Sequence, residues 1–174
     1  MRRRLRRGAE APLSAPSVYA GFVRVLGIDY GRRRIGLAIS DATGLLARPW
    51  KTIANSGTHT DIANVLASEI LRLREEGDGL EAVVLGLPRR LGGEPNEQTN
   101  EVKALAADLE PVIGVTLVLQ DERLTSREAD GLLARSEKDW RKRKASLDAT
   151  AAAIILQDYL DSRATATEWG DRQS

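Results

Sequence analysis

The 174-residue chain has no cysteine and a single histidine, His59. That excludes a disulfide framework, a thiol nucleophile, a cysteine zinc site and any histidine-rich metal cage. Hard cations held by oxygen are the class of metal left open. Aromatic residues make up 4% of the sequence, which argues against a broad base-stacking surface and favours recognition of duplex or structured backbone over stacked bases. No apolar run approaches the ~18 residues of a membrane-spanning helix, and the basic start MRRRLRRGAEAPLSAP lacks the apolar stretch of a secretory signal. A cytoplasmic protein with no membrane partner is expected.

What is present is unevenly charged. The formal net charge is +1, yet five arginines (Arg2, Arg3, Arg4, Arg6 and Arg7) precede Gly8, and the remainder carries 21 basic against 25 acidic side chains. The body therefore lacks the general basic surface of a passive nucleic-acid coat. Residues 1–21, with Pro12, Pro16 and no apolar period, read as a disordered basic leader, with phosphate binding as an alternative role.

Folded structure is expected over residues 22–161, followed by a flexible tail over 162–174. FVRVLGI and RIGLAIS read as buried strands joined by the Asp29-Tyr30-Gly31 turn, so they should form an antiparallel hairpin. A third short strand is expected near Pro49 to Ile53. A helix from about Asp61 to Glu76 follows, with Ile62, Val65, Leu66, Ile70 and Leu73 as its apolar stripe and Gly77 as its stop. AVVLGLP is a further strand, and Val102, Leu105, Ala106 and Leu109 recur at helical spacing after a loop carrying Gly92 and Gly93. VTLVLQ supplies the last strand, and Thr125 with Glu128 reads as a capping box opening a helix to about Arg135. Ser146 is the expected cap of a final helix, in which Ala151, Ile154 and Ile155 would pack closely on the sheet. This order fits an α/β protein of the ribonuclease H-like class, a mixed five-stranded sheet with flanking helices.

Four segments carry candidate chemistry. Asp29 ends a buried strand between glycines, well placed for a metal or phosphate, though it would equally cap the hairpin turn. Leu85-Gly86-Leu87-Pro88 suits a sharp strand exit, open to a phosphate backbone or simply a connection to the next helix. Asp121-Glu122-Arg123-Leu124-Thr125-Ser126 gathers carboxylates, a guanidinium and hydroxyls at a strand-to-helix junction. Alternation sends Asp121 and Glu122 to opposite faces, and the sequence alone leaves open which of them is a ligand. Lys138, Arg141, Lys142, Arg143 and Lys144 precede Asp148, so cations for phosphate adjoin a carboxylate, and Trp140 offers a ring for a base. A solvated charge run and a dipole-favoured aspartate would explain the same residues. Together, Asp29, Glu122 and Asp148 are three carboxylates at the ends of core elements, a donor set suited to Mg²⁺ or Mn²⁺. Phosphodiester hydrolysis is the chemistry that most needs such a set.

GIDYG with RIGLA, GLP with its downstream glycines, DERLTS and LDATAAAIILQ stand in the order found in the YqgF/RuvX family, which the chain resembles from about Val23 to Leu160. Members are provisionally named pre-16S rRNA nucleases or Holliday junction resolvase-like proteins. The resemblance implies Asp29, Glu122 and Asp148 as catalytic, metal-holding acids, and it selects Glu122 over Asp121. It implies Arg34, Arg123, Thr125 and Lys144 as contacts of the substrate or of the groups surrounding the acids. The arginine-rich leader lies outside the pattern.

The implied activity is hydrolysis of phosphodiester bonds in 5′-end maturation of pre-16S rRNA, with two divalent ions ~3.5–4 Å apart bridged by Asp29. Branched DNA is the alternative substrate, which would favour a symmetric homodimer over a monomer. A non-catalytic RNA-binding module of ribosome assembly is the alternative of another class, disfavoured because three bare carboxylates repel phosphate. Asp-x-Gly after a first strand also resembles the phosphate loop of actin-like and sugar-kinase ATPases. Those need two such domains, and ~140 ordered residues leave room for one.

Overall fold

Runs of apolar residues bounded by turns build the sheet, and the computed structural model describes it within residues 23–88, 93–121 and 140–171, with side chains of the last segment described over 147–164. The expected leader, Glu122, Arg123, and the expected helix from Thr125 lie outside the described residues. Strands β1 (Arg24–Tyr30), β2 (Arg34–Ser40) and β3 (Ala47–Ala54) form an antiparallel meander. Helix α1 (His59–Glu75) leads to β4 (Leu80–Leu87), which pairs parallel to β1, and α2 (Glu97–Ile113) leads to β5 (Thr116–Asp121), parallel to β4. The sheet order is β3-β2-β1-β4-β5, and α3 (Trp140–Asp171) follows. This is the ribonuclease H-like architecture expected from the sequence.

Helices α1 and α2 start where the sequence offers a cap. Thr58 and Asp61 exchange side-chain and backbone hydrogen bonds at the start of α1, as Asn96 and Thr99 do at α2. Helix α2 ends on Gly114 at φ 60°, a left-handed conformation that costs a residue without Cβ little. Helix α1 stops instead at Glu76, already extended, one residue before the expected glycine.

Strand alternation divides the core in two. Leu26, Ile28, Leu37, Val83 and Leu85 face α1 and α2, meeting Ile62, Leu66, Ile70, Leu73, Val102, Leu105 and Leu109. Val65, expected in the α1 stripe, is 43% exposed. Val25, Ala38, Ala82 and Val84 face α3, meeting Ala152, Ala153, Ile155, Leu156 and Leu160. The α3 seam is rotated from expectation: Ile155 is buried, while Ala151 and Ile154 are only half-buried.

Close approach explains the rotation. A Cβ on Gly27 would lie 2.8 Å from Leu156 Cβ and 2.9 Å from the Ala152 carbonyl oxygen, and one on Gly36 would overlap the Asp148 carbonyl. The helix rests directly on the two glycines. Ser146 lies inside α3 and does not cap it, because the helix is already formed at Trp140 and continues through the basic residues before Asp148. At its other end α3 runs to Asp171, through residues expected as a flexible tail.

Candidate active site

Asp29 is the sixth residue of β1 and pairs with Gly36 of β2. Alternation puts it on the face of Val25 and Gly27, beneath α3. Because Gly36 has no side chain, the α3 backbone descends onto that same strand pair at Asp148. Two carboxylates 119 positions apart in sequence are thereby gathered at one end of one sheet face. Their proximity is electrostatically visible: burial, then the negative charge of Asp148, push the Asp29 carboxyl up from 3.8 to about 6.

Arg34 opens β2 and lies on the same sheet face as Gly36, two residues away. Its Nη1 is buried and has no hydrogen-bond partner among the described residues. A guanidinium with an unpartnered nitrogen on that face is suited to an incoming phosphate oxygen. Asp121 does not join the group. It shares the alternation of Leu117 and Leu119, the side of α2, whereas Val118 packs with α3. Of the other expected site residues, Glu122, Arg123 and Thr125 lie outside the described residues, as does the Lys144 side chain, although Lys144 falls within α3. Among the described residues no three His, Cys, Asp or Glu side chains form a metal-holding group.

The donors that are gathered nonetheless suit a hard cation. They are carboxylate oxygens, one of them held out of water beside a second negative charge, and a divalent ion would relieve that repulsion. Sequence reasoning missed what lies behind Asp29. Across the sheet edge, a cleft of about 580 Å³ is lined by Tyr30, Arg32, Asn55, His59, Glu97 and Glu101. Gln98 Nε2 donates to the Tyr30 carbonyl at 2.8 Å, and Asn55 Nδ2 donates to the Gly31 carbonyl at 2.8 Å. The one available signal was Asn96 three residues before Thr99, a helix start that places Gln98 in the first turn.

Among the described residues no helix is long and apolar enough to cross a membrane. A family model, RuvX, described as a Holliday junction resolvase, matches residues 23–162. A protein of Syntrophus aciditrophicus, provisionally named a pre-16S rRNA nuclease, is 38% identical over 140 residues, 80% of this chain and 89% of its own length. One of Chloroflexus aurantiacus with the same name is 41% identical over 139 residues, 80% of this chain and 87% of its own. In three dimensions, RuvC of T. thermophilus in complex with a Holliday junction substrate aligns with a TM-score of 0.49 at 19% identity, over 81% of this chain and 95% of that one. With the family model matched along the folded part and relatives above one-third identity, the chain belongs to the RuvX family.

Proposed function

We propose that the protein is a divalent-metal-dependent nuclease that hydrolyses phosphodiester bonds, acting in the cytoplasm on pre-16S rRNA at its 5′ end. The observation that carries this reading is the convergence of Asp29 and Asp148 under α3, with the Asp29 carboxyl pushed up to about 6. The names of the two relatives support the RNA substrate, and their likeness covers most of both chains.

In this reading Asp29 and Asp148, with Glu122 added from the family resemblance, hold Mg²⁺ or Mn²⁺. The bound ion supplies an activated water and charge neutralisation at the attacked phosphate. The chain's own residues do the rest. Burial keeps Asp29 out of bulk water, so its charge acts at low dielectric on whatever cation it holds. Arg34 presents its guanidinium on the same face, where it orients a non-bridging phosphate oxygen. Arg123, Thr125 and Lys144 contact the nucleic acid further along. Products carry a 5′ phosphate.

The test is cleavage of labelled precursor rRNA and of four-way DNA junctions, with Mn²⁺, Mg²⁺ or chelator, by wild type and Asp29→Asn. Metal-dependent cutting of the rRNA, lost in the variant, is the expected result. A preference for the junction would move the substrate to branched DNA, the activity in the family's description. Metal-independent RNA binding without cutting, kept in the variant, would replace the nuclease by a binding module.

A further inference from the structure

The end of β1 is held unevenly. Strand β1 pairs with β4 only as far as Ile28 opposite Leu85, while on its other side it pairs with β2 through Asp29 opposite Gly36 and Tyr30 opposite Ile35. Asp29 therefore lies just past the last position paired with β4, although β4 itself continues to Leu87. At that point side-chain amides take over. Gln98 donates to the Tyr30 carbonyl at 2.8 Å and Asn55 donates to the next carbonyl, Gly31, at 2.8 Å. The backbone N–H of Asn55 adds a third bond, to Arg33 at 3.0 Å.

These amides are themselves anchored. Gln98 occupies the first turn of α2, fixed by the reciprocal cap between Asn96 and Thr99, and the buried Thr99 hydroxyl donates to the Pro88 carbonyl at the exit of β4. Hydrogen bonds at either side of the first turn of α2 thus tie the end of β4 to the residue after Asp29 through that turn. Asp29 is loaded by a second carboxylate: the α3 backbone comes down at Asp148 onto Gly36, the residue opposite Asp29, and the two negative charges repel. A strand end tied on one side only would yield to such repulsion.

We infer that Gln98 and Asn55 are positioning residues, which clamp the Tyr30-Gly31 backbone from the face opposite the carboxylates and so hold Asp29 where it binds a divalent cation. The inference rests on the metal reading of the site proposed above. Neither residue touches the cation. Each acts through the main chain, in the way that outer-shell partners of metal ligands do, where loss of one typically weakens metal binding 10–100-fold.

The experiment uses the full chain without nucleic acid. Mn²⁺ affinity is measured from the free-ion electron paramagnetic resonance signal for wild type, Gln98→Met and Asn55→Ala, with the melting temperature of each and its cleavage rate across Mn²⁺ concentrations. Met keeps the length of Gln98 and removes its donor. The expected result is Mn²⁺ binding at least about 10-fold weaker in each variant, with cleavage recovering towards the wild-type rate at high Mn²⁺. A lower melting temperature with Mn²⁺ affinity within twofold of wild type would make the bonds merely structural and overturn the inference. A wild type that takes up no Mn²⁺ would overturn both this inference and the metal reading. One that binds Mn²⁺ and cuts nothing would remove the nuclease reading while leaving the clamp standing on its binding data.

Discussion

Replacing Asp29 by Asn should stabilise the protein at neutral pH in the absence of metal, even as it abolishes the proposed cleavage. Folding raises the Asp29 carboxyl from 3.8 to about 6. Between those values the unfolded chain has released a proton that the native state retains, so native stability falls as pH rises through the window and levels off above it. At roughly 1.4 kcal/mol for each unit, the destabilisation above pH 7 is at most about 3 kcal/mol. Asn removes the charge and, with it, this cost. For a chain of this size that corresponds to a melting temperature up to about 6–12 °C higher than wild type. The assay is urea unfolding in chelator at pH 4, 6 and 8. The gap between variant and wild type should be near zero at pH 4, open across pH 6 and be widest at pH 8. Carboxyls remote from Asp29 contribute equally to both proteins and cancel. Saturating Mn²⁺ should then close most or all of the gap, since only the wild type holds the ion at full strength, by about 2.7 kcal/mol at 100 times the dissociation constant. A variant no more stable than wild type at pH 8 would refute the claim that Asp29 is held charged against its environment.

Three further substitutions test the packing that gathers the site. Gly36→Ala puts a methyl into the Asp148 carbonyl, so α3 must lift; we expect a loss of about 3 kcal/mol in urea unfolding, and an unchanged midpoint would contradict the close approach. Thr99→Val removes the buried hydroxyl that bonds Pro88 and Asn96; calorimetry should show a loss of about 1–3 kcal/mol, largely restored by Thr99→Ser. Gln157→Leu strips the amide that accepts from Ala47 N at 2.8 Å and donates to the Leu45 carbonyl at 3.0 Å. Amide exchange in the turn between β2 and β3 should accelerate by about 5-fold or more while the centre of β1 stays protected, and uniform acceleration throughout would mean global destabilisation instead.

Much of the fold was legible because its strands are compact apolar runs between turn residues. RIGLAIS became β2 without a shift at either end, and the three other sheet strands expected from apolar runs moved by two residues at most. The α3 start was misread for a physical reason. Ser146 has the chemistry of a cap, but Trp140 and the basic residues after it also form good helix, and nothing local forces a stop between them. The rotation of its buried seam was equally hidden, because Ala and Ile repeat on several sides of α3 and only contact with the sheet selects one. At the site, alternation in β5 turns Asp121 away from Asp29, a fact that needed the observed register with β4. Gln98 and Asn55 were invisible for a different reason: side-chain amides that bond distant main-chain carbonyls leave no periodic trace.

The site and the core are built by one device. Gly27, opposite Ala38, and Gly36, opposite Asp29, both lie in the hairpin's α3 face, and each is a position where a Cβ would collide with that helix. Close helix-on-sheet contact contributes packing along Ala152, Leu156 and their neighbours. The same contact also carries Asp148 down to the level of Asp29, where their charges oppose one another. Stability and chemistry therefore pull against each other across a few ångströms: the approach that completes the apolar layer is the approach that crowds the carboxylates. In the proposed reading a bound cation would reverse the sign of that conflict. Gly36→Ala should consequently weaken Mn²⁺ binding as well as folding, whereas a core truncation farther along α3, Leu160→Ala, should weaken folding alone. Equal loss of Mn²⁺ affinity in both variants, measured under conditions where both are fully folded, would separate the two roles and sink the coupling.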